Sequence, residues 1–291
     1  MKKVILGAAI CGATLYGGAA TFAGSANADT GSDWLSSLTN TVDDWMSGLT
    51  GSSAASVLAP DFAASADDGT DFLASSDHAL ILGPTGIPTP NSAYITDAEN
   101  LYLYPNGYEG TAATTLALTT PETNDFQTSV PQGEAILIDA IQAQYNAGDM
   151  GCDASGVCSD PLTIFTYSQS SAVAALAEQQ LSDDKIPEDA LRFVMLGANP
   201  TGVPNDLFPT EIYNIHGDAY AEPGVLGTSW QDVVFGMELH EAYLGLTQAE
   251  LDSATTTVEG LTTIHEIPTL TSMELWDALL SAAAAGSFST S

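Results

Sequence analysis

Ser168 stands where an apolar run stops and a run of small, helix-forming residues begins. Ile164-Phe165-Thr166-Tyr167-Ser168-Gln169-Ser170-Ser171 leads straight into Ala172-Val173-Ala174-Ala175-Leu176-Ala177. A strand that turns sharply into a helix pushes the corner side chain out of the fold. There a hydroxyl can attack a carbonyl carbon, and the first N–H groups of the helix point back at the same place. The common form of this corner is G-x-S-x-G, because small residues on either side of the serine let strand and helix pass closely. Thr166 and Ser170 occupy those positions here; Ser170 is small, and Thr166 departs from the pattern. The plainer alternative is a Ser-rich helix start in which Ser168 or Ser170 only caps the helix.

A serine hydroxyl becomes a nucleophile when a base takes its proton, usually a histidine held by a carboxylate. The four histidines are His78, His216, His240 and His265. His78 precedes the first apolar strand, and His265 sits in a structural-looking segment, Ile264-His265-Glu266-Ile267-Pro268. His240, on a loop or helix edge, follows the acid region and completes the order Ser, Asp, His found in α/β-hydrolases; His216 is its rival. Asp218, just past a strand in Ile215-His216-Gly217-Asp218-Ala219-Tyr220, is the candidate acid, with Glu222 as the alternative. A tetrahedral intermediate also needs two donors for its oxyanion. The N–H of Gln169 is one, and Thr85 in the turn Gly83-Pro84-Thr85-Gly86, through its N–H or hydroxyl, is the other.

Metal and phosphate chemistry find no support in the spacing. A zinc-protease motif needs H-E-x-x-H, but Leu244 and Thr269 occupy the fifth positions after His240-Glu241 and His265-Glu266. The turn at residues 83–86 lacks the lysine and the spacing of a phosphate loop. Asp67-Asp68-Gly69-Thr70-Asp71 lacks the later ligands of a calcium loop and reads as a solvated acidic turn. No metal and no cofactor is expected.

The elements that must hold these groups alternate between two periods. Short apolar runs predict strands at residues 79–82, 115–120, 162–167, 191–196 and 211–215. Helical spacing predicts helices at 130–145 and 169–181. Strands alternating with helices give an α/β fold, a mostly parallel central sheet with helices on both faces. Reactive groups in such sheets gather beyond the carboxyl ends of the strands. Residues 83–86, Ser168 and residues 216–218 all follow such ends.

Lys2-Lys3, an apolar stretch and Ala26-Asn27-Ala28 read as a secretory signal peptide, residues 1–28, cleaved after Ala28. Residues 29–76 are rich in Ser, Ala and Asp and read as a linker with a short helix. Residues 77–291 form the main domain. Export removes Cys11 and leaves Cys152 and Cys158, an even number that reads as one disulfide closing a short loop. Two cysteines cannot build a four-ligand zinc site. The formal net charge is −33, and beyond residue 28 the only basic residues are Lys185 and Arg192. Such a surface repels nucleic acid and anionic membranes. No internal stretch is long enough to span a bilayer, so stable membrane insertion after signal cleavage is not expected.

Four stretches together resemble the PE-PPE domain of actinobacteria, a cutinase-related serine α/β-hydrolase family. They are Leu80-Ile81-Leu82-Gly83-Pro84-Thr85-Gly86; Thr119-Thr120-Pro121-Glu122 with Ser129, Val130 and Gly133; Phe165 to Ser171; and Gly217 to Pro223 with His240 and Tyr243. The resemblance covers roughly residues 77–280. It implies an α/β-hydrolase-like fold and a Ser168, Asp218, His240 triad. It also implies a fatty-acyl ester or lipid substrate. The expectation is a secreted or envelope serine esterase. An envelope acyltransferase passing the acyl group to a glycolipid, and a non-catalytic binding protein that keeps the fold, are the alternatives.

Overall fold

The segment Leu162–Tyr167 is buried at every residue, which is what a strand covered on both faces requires. It is the third of seven strands in the computed structural model, which describes residues 72–227 and 229–286. The expected signal peptide, all but the last residues of the linker and the acidic turn at 67–71 lie outside the described residues. Strands β1 (Ala79–Ile81), β2 (Thr115–Ala117), β3 (Leu162–Tyr167), β4 (Leu191–Leu196), β5 (Thr210–Ile215), β6 (Thr255–Glu259) and β7 (Thr262–Ile267) form one sheet in the order β2-β1-β3-β4-β5-β7-β6. All neighbours are parallel except β6 and β7. This is the mostly parallel, α/β-hydrolase-like sheet expected.

Two apolar layers sandwich the sheet, because alternate strand residues face opposite ways. Ile81, Phe165, Tyr167, Val194, Leu196 and Ile215 join one core. Helices α1 (Ser92–Ala98), α4 (Trp230–His240) and α6 (Ser272–Ala285) cover it through Tyr94, Leu239 and Leu275. Leu80, Ile164, Phe193, Met195 and Ile212 join the other, under α2 (Phe126–Ala147) and α3 (Gln169–Asp183). Between α3 and α4 on the chain come β4 and β5, and the short α5 (Gln248–Leu251) follows α4.

Several boundaries differ from the sequence reading. α2 begins four residues earlier than expected and carries Pro131 inside it. Pro131 is the sixth residue of the helix and brings no N–H for the carbonyl four residues before it. β2 ends at Ala117, short of the expected residue 120. The antiparallel hairpin of β6 and β7 was not anticipated. Leu73 is fully buried, and the Ser76 hydroxyl lies 2.6 Å from that of Thr163 on β3. The packed unit therefore includes residues 72–76, which the sequence reading assigned to the linker.

Candidate active site

Parallel strands deliver their carboxyl ends to one edge, and four loops meet there. β3 ends at Ser168, whose φ of 60° and ψ of −118° are strained for a residue with a Cβ. The strain is held by bonds on both sides. Ser168 N–H donates to Leu196 O on β4 at 2.9 Å. The Ser170 hydroxyl accepts from Tyr167 N–H at 2.9 Å and donates to Tyr167 O at 3.0 Å. Thr166, the departure from the glycine pattern, is buried with its hydroxyl 3.1 Å from that of Ser171, which donates to Leu196 O. The larger residue is accommodated by being bonded to the helix it faces. Ser168 makes no side-chain capping bond to α3, so the capping alternative does not describe it.

Its hydroxyl is engaged elsewhere. Ser168 Oγ lies 2.7 Å from His240 Nε2, and His240 Nδ1 lies 2.7 Å from Asp218 Oδ2. Asp218 is fully buried. Its Oδ1 accepts the N–H groups of Tyr220 and Ala221 at 2.8 and 3.1 Å, and Oδ2 also accepts the Tyr243 hydroxyl at 2.7 Å. These bonds aim the carboxylate at the imidazole and compensate its burial. Burial alone would lower the affinity of His240 for a proton. The Asp218 carboxylate, by charge and hydrogen bond, and Glu241 outweigh that and hold it above the ordinary value.

His240 is the last residue of α4, and its ring packs on Tyr220 with centroids 4.4 Å apart. Tyr167 donates its hydroxyl to the His240 carbonyl. Gly197, just past β4, backs onto the same ring. Its φ is +60°, and a Cβ there would lie 2.8 Å from His240 Cε1, so only glycine fits.

On the other side of Ser168, Gln169 is buried. Its side chain accepts the Thr85 hydroxyl at 2.9 Å and donates to Ser129 Oγ at 2.6 Å. The two expected oxyanion residues are thus joined to each other and to α2.

The remaining candidates fall elsewhere. Glu222 does not reach His240: its Oε2 accepts Gly217 N–H at 3.0 Å and lies 3.3 Å from His216 Nδ1. His216, half-exposed, pairs with Glu266 at 2.8 Å. His78 pairs with Asp77 and Asp160 at the amino end of the sheet. His265 lies on β7, stacked on Tyr213 with centroids 4.3 Å apart. Cys152 and Cys158 are disulfide-bonded in the loop between α2 and β3. The sequence reading missed the parts played by Tyr243, Tyr220 and Gly197. Tyr243 stands three residues after His240, and that spacing was its one local signal.

Comparison with known proteins bears on the same elements. A protein 28% identical over 213 residues is the uncharacterized PPE family protein PPE28 of Mycobacterium tuberculosis (strain ATCC 25618 / H37Rv). The alignment covers 60% of this chain and 30% of that protein, so the chain spans about a third of the relative's length. Among solved structures, a novel cutinase-like protein from Cryptococcus sp. is 18% identical with a TM-score of 0.36, covering 60% of this chain and 98% of that one. The family model described as the PE-PPE domain matches residues 89–223, which include Ser168 and Asp218.

Proposed function

We propose that this protein is a serine hydrolase that cleaves carboxylic esters through an acyl-enzyme on Ser168. The observation that carries the reading is the unbroken line of bonds from Ser168 Oγ through His240 to Asp218, with the serine on a strained strand–helix corner. His240 Nε2 takes the hydroxyl proton as Oγ attacks the ester carbonyl. Asp218 holds the ring in the tautomer that leaves Nε2 free to accept, and stabilises the imidazolium. The proton then passes to the leaving alcohol. Water, activated by the same nitrogen, releases the acid.

We assign the oxyanion donors to the backbone N–H groups of Gln169 and Thr85. The Thr85 hydroxyl is not the donor in this reading, because it is committed to the Gln169 side chain. The preferred substrate class is a fatty-acyl ester, which the family resemblance supports. The reading includes export to the cell envelope or medium through residues 1–28. No helix among the described residues is long and apolar enough to cross a membrane.

A fluorophosphonate probe and a p-nitrophenyl acyl ester test the reading on the folded protein. Ser168→Ala is expected to abolish labelling and lower turnover roughly 10³-fold or more, with an unchanged melting temperature. Labelling that survives the substitution, or a wild-type protein that neither labels nor turns over ester, rejects the proposal.

A further inference from the structure

Behind Thr85 and Gln169 runs a closed circuit of hydrogen bonds. The Thr85 hydroxyl donates to Gln169, and Gln169 donates to the Ser129 hydroxyl. Ser129 also accepts the N–H of Thr123 at 3.0 Å. Thr123 follows Glu122, whose carbonyl accepts the N–H of Gly86 at 2.7 Å. Gly86 is covalently joined to Thr85, and the ring closes. Glu122 is the corner of this circuit, with a φ of 44° in the left-handed region.

Its side chain is as unusual as its backbone. It is 1% exposed, and Oε1 accepts the Thr120 hydroxyl at 2.8 Å. Among the described residues Oε2 has no hydrogen-bond partner. A carboxylate so placed would be a buried charge with one hydrogen bond and no counter-charge, whereas a neutral carboxyl is tolerated. Around it, Thr120 N–H donates to Pro88 O at 3.0 Å, and the hydroxyls of Thr89 and Thr119 lie 2.8 Å apart. The segment at 119–123 is therefore laced to the loop that carries Thr85.

We propose that Glu122 is a positioning residue for the oxyanion donors: its buried carboxyl keeps the left-handed turn at 122 in shape, and the turn keeps Thr85 and Gln169 at their working separation. The catalytic part of this inference rests on the ester-hydrolase reading; the structural part does not.

Burial pushes the Glu122 carboxyl up to about 7, against a small opposing pull from the Thr120 hydroxyl. The titratable group facing it is Tyr94 on α1. Burial first, and then the charge of Glu122, holds Tyr94 well above its ordinary value, so it stays neutral. Above pH 7 the Glu122 carboxylate has no counter-charge among these neighbours, and the turn loosens. The resulting rate profile has two limbs: His240 must lose its proton for activity, and Glu122 must keep its own. Glu241, beside His240, is also pushed by burial to about 7, so it needs its own control.

The test combines Glu122→Ala, Glu122→Gln and Glu241→Gln in the full chain. Glu122→Ala is expected to lower kcat about 10- to 100-fold with KM little changed, the scale of a misplaced donor. Glu122→Gln, neutral and of similar shape, restores most of kcat and abolishes the alkaline fall. Glu241→Gln leaves that fall in place.

Amide exchange of residues 83–87 is read on the same proteins. It is expected to be about tenfold faster in Glu122→Ala and near wild type in Glu122→Gln. An alkaline limb that persists in Glu122→Gln, or exchange and kcat both unchanged in Glu122→Ala, overturns the proposal. If Glu122→Ala does not fold, the limb in Glu122→Gln decides. If the wild type shows no Ser168-dependent turnover, the hydrolase reading fails by itself, and the exchange rates decide the role of Glu122.

Discussion

Asp218 and Glu222 lie four residues apart on one loop, carry the same charge, and have different neighbours. Asp218 is closed off from solvent by four hydrogen bonds, one of them from His240 Nδ1. Glu222 turns back to Gly217 N–H and the half-exposed His216. Chain order alone left the choice between these acids open, because either side chain could reach a histidine from that loop. What separates them is long-range: Tyr243, arriving from beyond α4, donates to Asp218 Oδ2 and accepts the N–H of Ile215. Asp218→Asn keeps the shape but presents an amide to His240 Nδ1 and favours the wrong tautomer. It is expected to lower kcat by roughly 10³- to 10⁴-fold, whereas Glu222→Gln stays within a few-fold of wild type. Steady-state kinetics at one pH check the pair, and a large loss confined to Glu222→Gln would move the acid to Glu222.

At the scale of elements, what is fixed locally is visible in the sequence, and what depends on distant partners is not. β1, β3, β4 and β5 are short apolar runs bounded by turn residues, so their period and limits are visible in the chain. β6 is exposed at all five residues. A threonine-rich strand with no buried side has no alternation to betray it, and its identity comes from pairing with β7. The corner at Ser168 was legible as an apolar run meeting a small-residue helix. Its tolerance of Thr166 was not, since that depends on Ser171 and on β4. Gly197 likewise reads as an ordinary loop glycine until the His240 ring is seen against it. The disulfide was accessible through cysteine arithmetic, and its place in the fold gives it a separable role. It closes a loop with a sequence separation of 6 ahead of β3, and Ser168 follows the opposite end of that strand. Closing so short a loop restrains the unfolded chain by about 2 kcal/mol. A Cys152→Ser, Cys158→Ser double variant is expected to lose about that much in denaturant unfolding while kcat/KM stays within twofold. A loss of activity without a loss of stability would show that the loop communicates with the site.

For the whole molecule, the excess of acid and the burial of acid act in the same direction. The chain has a formal net charge of −33, so compaction works against self-repulsion that grows as carboxyls ionise. Within the fold, Glu178 on α3 is fully buried, and burial holds its carboxyl well above the ordinary value. Burial likewise carries Glu122 and Glu241 to about 7. A group whose folded pKa lies above its unfolded one stabilises fully below the unfolded pKa, near 4.5 for these glutamates, and ceases to do so as pH rises through the folded pKa. His240, also raised, adds to the same trend from its ordinary 6.5 upward. Asp153 and Glu274 have lowered values from hydrogen bonds at the surface, so they favour the fold above their unfolded pKa and matter only at more acid pH. The melting temperature is therefore expected to be higher near about pH 5.5 than near about pH 8. Surface repulsion is damped by salt and burial is not, so part of the difference should survive in about 1 M NaCl, where the screening length is only about 3 Å. That surviving part should shrink in Glu178→Gln, because an amide has no proton to lose. Calorimetry at the two pH values, with and without salt, measures both parts. A protein more stable at pH 8, or a pH difference that salt removes completely, would mean that these carboxyls ionise within the fold without cost.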